Sequence, residues 1–223
     1  MFTKERQHII EDMPQKNGVV TTSELVTYFG VSIETIRKDL LSMEQEGQLS
    51  RVHGGAVVKS DMKPFPELQQ RNQEHSEQKA ELSLKAIEFI SNGDIIGIDS
   101  GSTAISLAEV VKDNFSKLTV VTHSLDVFNL LCNHEYFSLI LCGGHYMRRE
   151  NAFYGPLTLD TINNLHIQKS FIFPTAISFD GGIFDYEAEL CQIQRQMMKS
   201  SDDIYILADS SKFEKRRYLR LMT

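Results

Sequence analysis

Five consecutive residues, Asp99-Ser100-Gly101-Ser102-Thr103, carry the densest chemistry in the sequence. They follow an apolar run, Ile95–Ile98, and lead directly into the helical pattern Ala104–Val111. In such a strand-to-helix turn, small residues let backbone N–H groups and hydroxyls close around an anion at the helix N-terminus, and phosphate is the natural guest. Taken alone, the segment also reads as an ordinary capped turn. Three further polar loops favour a pocket: Thr122-His123-Ser124, Cys142-Gly143-Gly144 and Asp209-Ser210-Ser211-Lys212 each follow an apolar strand. Converging hydroxyls, glycines and one lysine suit a polyol phosphate better than an apolar ligand.

A second constellation lies near the N-terminus. Ser32 is placed to cap a helix whose inward face is Ile33, Ile36, Leu40 and Met43. Lys38 then points outward, flanked by Glu34, Thr35 and Ser42, with Arg37 and Asp39 on the two shoulders. Hydroxyls and cations on a solvent-facing helix can bind DNA phosphates, and Arg or Lys can donate to guanine in a major groove. The plain alternative is an amphipathic helix that exposes some Lys and Arg. Its neighbours favour the groove.

A helical pattern over Thr3–Asp12 stops before Pro14, and Thr21 and Glu24 stand at the spacing of a capping box that starts a second helix. Gly30 suits the left-handed end of that helix. The layout of helix, short glycine turn and helix is that of a helix-turn-helix. Beyond Gly47, Leu49–Val52 and His53–Val58 read as a strand, glycine turn and return strand, a wing on which Arg51 and His53 are suited to the DNA backbone. Residues 59–78, with Pro64 and Pro66, read as a linker into a polar helix. A helix over Lys79–Asn92 follows. Apolar strands then alternate with helices: strands at Ile95–Ile98, Leu118–Thr122, Ser138–Cys142, Ser170–Phe173 and Ile204–Ala208, helices at Ala104–Val111, Leu125–Cys132, Thr158–Leu165 and Glu187–Lys199. That alternation predicts a mostly parallel sheet covered on both faces, with ligands beyond the carboxyl ends of its strands. Asp180-Gly181-Gly182 predicts a tight hairpin or loop. The expected organisation is 1–58, a linker 59–78, and 79–223.

Of the 223 residues, 41% are apolar and 24% charged, an ordinary globular balance. No apolar run approaches the roughly 18 residues of a membrane span, and charged residues interrupt the start of the chain, so a cytoplasmic protein is expected. Net charge is −7, and residues 1–60 hold seven Lys/Arg against eight Asp/Glu, so DNA binding must rest on local placement. Cys132, Cys142 and Cys191 are widely separated and predict buried free thiols. No metal site or cofactor is expected.

The residues Glu5-Arg6, Ile9-Ile10, Leu25…Phe29-Gly30-Val31-Ser32, Thr35-Ile36-Arg37-Lys38-Asp39-Leu40 and Arg51-Val52-His53-Gly54-Gly55-Ala56 resemble the DNA-binding domain of the DeoR family. Gly93–Thr103, Val120–Ser124, Cys142–Gly144, Tyr154–Pro156 and Ala208–Phe213 resemble that family's sugar-phosphate sensor domain, which is similar to ribose-5-phosphate isomerase. The resemblance implies an α/β protein: an N-terminal winged helix-turn-helix followed by a Rossmann-like, mostly parallel sensor domain. It implies operator DNA and a phosphorylated sugar as partners, repression of a carbohydrate operon, and a dimer or tetramer that reads paired half-sites. DNA contacts fall to Ser32, Glu34, Thr35, Arg37, Lys38, Ser42, Arg51 and His53. Phosphate contacts fall to Ser100, Gly101, Ser102 and Thr103, with Asp99, Thr122, His123, Ser124, Gly143, Gly144 and Lys212 around the sugar.

Several positions depart from that pattern. Pro14 should shorten the first helix. His123 stands where the family usually has Asn, and Gln194 where a lysine is common. The chain stops at Thr223, earlier than family members usually finish, so a final strand and helix are expected to be missing. The competing function is an isomerase-like enzyme with an appended DNA-binding segment, which would need Asp99, Asp185 or Glu187 as a base. No G-x-x-x-x-G-K-[ST] or G-x-G-x-x-G motif supports a P-loop kinase or nicotinamide binding.

Overall fold

In the computed structural model, local capping chemistry sets the N-terminal elements. These are α1 (Thr3–Asp12), β1 (Val20–Thr21), α2 (Thr22–Phe29), α3 (Ile33–Gln45), β2 (Leu49–Val52) and β3 (Gly55–Val58). The Thr21 side chain accepts from the Glu24 N–H at 3.2 Å while Glu24 accepts from the Thr21 N–H at 3.0 Å, which closes the capping box of α2. Gly30, at φ 62°, ends α2 in the left-handed conformation, and Ser32 caps α3 by accepting from the Thr35 N–H at 3.2 Å. The β2–β3 hairpin takes β1 as a third antiparallel strand. A Cβ on Gly55 would lie 2.3 Å from the Val20 carbonyl oxygen, so this crossing requires glycine. The structure describes residues 3–12, 20–46, 49–52, 55–58, 66–215, 217 and 219–222. They divide into two units, Met1–Phe65 and Pro66–Thr223. Pro14, Gly47, His53 and Gly54 lie outside the described residues.

The core of the first unit is Ile10, Val20, Leu25, Ile36, Leu40, Met43, Leu49 and Ala56. Two expectations for α3 need correction. Ile33, the first residue of the helix, is 45% exposed and lies outside the core cluster. Asp39, expected on a shoulder, is only 3% exposed. Its carboxylate takes two hydrogen bonds from Arg6 of α1, from Nε at 2.8 Å and Nη2 at 3.2 Å. A partner 33 positions away, which no helical wheel displays, draws Asp39 inward.

The second unit begins with α4 (Leu68–Gln73) and α5 (Ser76–Ala86), which runs into a 3-10 turn at Ile87–Phe89. Residues 66–78, the end of the expected linker, therefore form helical structure in this unit, with Leu68 and Arg71 buried. Next come β4 (Ile95–Ile98), α6 (Ser102–Asn114), β5 (Leu118–Thr122), α7 (Leu125–Leu131) and β6 (Phe137–Leu141). A hairpin, β7 (His145–Met147) with β8 (Ala152–Tyr154), precedes α8 (Pro156–Asn163) and β9 (Ile167–Ile172). A second hairpin, β10 (Ala176–Ser178) with β11 (Gly182–Asp185), turns at the Asp180-Gly181-Gly182 segment. The chain continues through α9 (Ala188–Lys199), β12 (Ser201–Ile206) and β13 (Leu219–Met222), which pairs with β11.

Five strands form a parallel sheet in the order β12-β9-β4-β5-β6. Alternate residues serve opposite faces, as a doubly covered sheet requires. Ile96, Ile98, Val120 and Phe171 join Ala104, Leu107, Ala108 and Val111 of α6 and Val127 and Leu131 of α7. Val121, Ile167 and Ile172 meet Ile162 of α8 and Cys191, Ile193 and Met197 of α9 on the other face. Gly97 faces α9, where an added Cβ would come within 2.6 Å of Ser170 Oγ. The chain winds outward from β4 through β5 to β6, then returns to place β9 on the other side of β4. The carboxyl ends of β4 and β9 therefore flank the switch point, where open α/β sheets form their ligand crevice. Cys142 and Cys191 are buried, and burial pushes both thiols up to about 12. Cys132, expected buried, is exposed.

Candidate functional site

The Asp99–Thr103 loop leaves β4 at this switch point. Gly101, at φ 106°, turns the chain into α6 without a side-chain cap of its own. The hydroxyls of Ser100, Ser102 and Thr103 make no hydrogen bond to any other described residue. Three hydroxyls thus accompany the N–H groups of the first turn of a 13-residue helix, a concentration of donors and positive dipole suited to an anion.

Arg71 and Lys79, which sequence reasoning missed, stand beside that turn, and Lys212 is electrostatically coupled to both. Arg71 of α4 places Nη1 3.7 Å from where a Gly101 Cβ would stand. It is held by Glu150, through Nη2 at 2.5 Å and 2.6 Å, and by the Pro66 carbonyl, which accepts from Nε at 3.0 Å. Lys79 of α5 is buried and donates to the carbonyls of Arg71 and Glu74. Burial, joined by the charges of Lys212 and Arg71, holds the Lys79 ammonium below its ordinary range. Lys212, on the 3-10 turn Ser210–Lys212, is lowered by burial first and then by Arg71, Lys215 and Arg217, against the raising effect of Asp209. Burial first, and neighbouring cations after it, disfavour the charged forms of Lys79 and Lys212, which an anion beside them relieves. A signal for Arg71 and Lys79 was present: two cations eight residues apart in an otherwise polar stretch leading into a helix.

Asp99 lies on the opposite side of the loop, buried, and both its oxygens are occupied. Oδ1 pairs with His123 Nε2 at 2.9 Å, and Oδ2 accepts from Gln194 Nε2 at 2.9 Å and the Phe173 N–H at 3.3 Å. The other ring nitrogen of His123 faces the Phe153 carbonyl at 2.8 Å, so Nδ1 carries a hydrogen. Fully buried with both nitrogens engaged, His123 orients Asp99 from behind. Gln194 also donates to Asp185 Oδ2 at 3.0 Å. Burial pushes Asp185 up to about 7, despite the Tyr186 N–H at 2.7 Å and Thr175 Oγ1 at 3.3 Å on its Oδ1. Glu187 forms an ion pair with Arg149. The three carboxylates considered as bases are thus all engaged by neighbouring groups.

The remaining loop residues form the walls. Thr122 accepts from the Ser124 N–H at 3.1 Å, and Ser124 caps α7 by accepting from the Val127 N–H at 3.3 Å. Gly143 gives its carbonyl to Thr158 Oγ1 at 3.0 Å. Gly144 has no room for a Cβ, which would meet Thr158 Oγ1 at 2.3 Å and the Tyr154 carbonyl oxygen at 2.6 Å.

In the first unit, α3 exposes Ser32, Glu34, Arg37 and Lys38 and half-buries Thr35 and Ser42. Arg37 pairs with Glu34 at 2.9 Å, and Ser42 donates to Glu46 at 3.1 Å. Lys38 has no hydrogen-bond or ion-pair partner among the described residues. Arg51 sits on β2 with its side chain outside the described set, and His53 lies outside it altogether.

Two family models divide the chain as its fold does: a DeoR-like helix-turn-helix domain matches residues 6–62, and a DeoR C-terminal sensor domain matches residues 74–223. The chain belongs to the DeoR family. This DeoR-family transcriptional regulator is 33% identical over 216 residues to the L-fucose operon activator of Haemophilus influenzae, covering 97% of this chain and 86% of that one. It is 32% identical over 213 residues to the glycerol-3-phosphate regulon repressor of Escherichia coli, covering 96% and 84%. Among solved structures, ribose 5-phosphate isomerase A from Neisseria gonorrhoeae superposes with a TM-score of 0.47 at 18% identity, over 63% of this chain and 54% of that one. No helix among the described residues is long and apolar enough to cross a membrane.

Proposed function

We propose that this DeoR-family regulator represses a carbohydrate operon and that a phosphorylated sugar, held at the β4–β9 switch point, controls its hold on operator DNA. The observation that carries the reading is the anion cradle: hydroxyls at Ser100, Ser102 and Thr103 without a partner among the described residues, the N-terminus of α6, Arg71 and Lys79 beside it, and Lys212 coupled to both. The phosphate enters there, and the sugar lies toward Asp99, Thr122, Gly143 and Gly144. On the DNA side, α3 enters the major groove with Lys38, unpaired among the described residues, and Ser32, Glu34, Thr35, Arg37 and Ser42 beside it. Arg51 and His53 on the wing reach the backbone. A dimer or tetramer presents paired helices to the half-sites. Arg71 lies on α4 and its Nε donates to the Pro66 carbonyl, so an anion drawn to Arg71 acts at the start of the sensor unit. Coupling of this kind is reciprocal, and operator DNA weakens the sugar by the factor by which the sugar weakens DNA. The engaged carboxylates Asp99, Asp185 and Glu187 favour binding over turnover.

The test pairs a thermal-shift panel of phosphorylated and unphosphorylated sugars with operator binding. The active sugar phosphate raises the melting temperature and releases DNA, and its unphosphorylated form does neither. Ser102→Ala loses the shift and keeps DNA binding. Lys38→Ala keeps the shift, weakens DNA binding and lowers the salt slope by about one. A protein that binds operator equally with and without every phosphate tested sinks the proposal.

A further inference from the structure

The first unit leaves three large apolar side chains exposed among the described residues, and two of them stand on α3: Ile33 at 45% and Leu41 at 42%. The third, Tyr28, meets the ring of Phe29 edge to face. The inward face of α3 is Ile36, Asp39, Leu40 and Met43. At about 100° per residue, Leu41 lies within about 30° of the direction opposite to that face, in the company of Glu34, Lys38 and Gln45, all exposed. Arg37 precedes Leu41 by one turn and Ile33 precedes Arg37 by another, so the three form a ridge along the helix. Leu41 therefore contributes nothing to the core of its own unit.

The charges on α3 narrow what this face can meet. The helix holds Arg37 and Lys38 against Glu34, Asp39 and Glu44. Asp39 is taken up by Arg6, and Glu34 pairs with Arg37 at 2.9 Å. The helix thus offers phosphates little surplus positive charge, and discrimination falls to contacts at base edges. In the major groove the apolar feature of a base pair is the C5-methyl group of thymine. A leucine that displaces water from that methyl buries apolar surface on both partners. Against the donor of cytosine or the acceptors of guanine, the same leucine would strip water and return no hydrogen bond. One leucine ringed by Glu34, Lys38 and Gln45 is too little apolar area for the core of a protein interface.

We propose that Leu41 is a specificity-determining residue of the DNA reader: its side chain packs on the C5-methyl group of a thymine in the operator's major groove. This rests on the placement of α3 in the groove proposed above and names a base that the half-site must carry.

The probe is the duplex that the full chain itself enriches from a randomised pool, with each thymine then replaced in turn by uracil. Uracil lacks the methyl and keeps every hydrogen-bonding group. Binding is read by fluorescence anisotropy. In the wild type, uracil at one thymine position weakens binding by about fourfold, the factor expected for one buried methyl group. Leu41→Ala binds the thymine duplex more weakly, treats thymine and uracil at that position alike, and keeps the wild-type salt slope because no phosphate contact is lost. Leu41→Met, an apolar side chain of similar volume, shows the uracil penalty again. A wild type with no methyl-dependent position, or a penalty that survives in Leu41→Ala, overturns the proposal. A changed oligomeric state in Leu41→Ala by sedimentation, with the penalty intact, also overturns it and assigns this face to a second copy. If no duplex is enriched, or if Lys38→Ala and Leu41→Ala both bind the enriched duplex as the wild type does, the placement of α3 in the groove falls, and the proposal with it.

Discussion

Replacing Arg6 with Met tests whether α3 is held in place by a buried ion pair. The substitution keeps an unbranched apolar stem and removes the two guanidinium hydrogen bonds, at 2.8 Å and 3.2 Å, that Asp39 receives. Charge-assisted bonds contribute about 1.5–3 kcal/mol each, and breaking a buried pair on one side costs about 3–5 kcal/mol because the other charge stays behind. Here the lower figure applies. Thr3, Lys4 and Glu5 beside Arg6 are exposed, so water reaches the bared carboxylate once the guanidinium is gone. A unit of this size has a stability of about 3–9 kcal/mol, and a loss of about 3 kcal/mol removes a third or more of it. Amide hydrogen exchange on the full chain reads the effect: protection falls about a hundredfold or more across α1, α2 and α3 and is unchanged in the parallel sheet. Operator affinity falls with it, while the ligand thermal shift remains. The double variant Arg6→Met with Asp39→Leu removes both charges and should recover most of the protection. Protection in Arg6→Met within twofold of wild type, or a double variant no better than the single one, would refute the reasoning.

Three further substitutions, one of them a control, address the sensor unit. Burial raises Asp185 from 3.8 to about 7, which favours its neutral form in the fold. Its contribution to stability is therefore full below about pH 4 and declines as pH rises toward 7, by at most on the order of 4 kcal/mol. In Asp185→Asn, denaturation midpoints measured from pH 5 to 8 lose that downward slope relative to wild type; an equal slope in both proteins counts against the assignment. Gly144→Ala forces a Cβ against Thr158 Oγ1 and the Tyr154 carbonyl, and should cost about 1–3 kcal/mol and abolish the ligand thermal shift. Gly143→Ala, which meets nothing within 4 Å, is the control and should leave stability unchanged. Equal melting temperatures for the two glycine variants would show that the wall has room to yield.

The features legible in the sequence are those whose causes are local. The Thr21–Glu24 box, the Gly30 stop and the Ser32 cap each depend on side chains within four residues of the backbone they satisfy. The five parallel strands are apolar runs because both their faces are covered, and the Asp99–Thr103 loop was visible because it directly joins such a run to a helix. The short hairpin strands β7, β8 and β10, three residues each, carry too little alternation to stand out.

What stayed hidden depends on partners far along the chain. Arg71 looks like one cation in a polar linker until Glu150, 79 residues later, fixes its guanidinium beside Gly101. Asp39 looks like a helix shoulder until Arg6 reaches it, and His123 looks like a sugar contact until Phe153 and Asp99 take both its nitrogens. In each case a charged or polar side chain was assigned to solvent or ligand because residue type alone suggests exposure, whereas burial with a matching partner reverses that assignment. The same rule covers Gln194, whose amide hydrogens have found distant partners in Asp99 and Asp185.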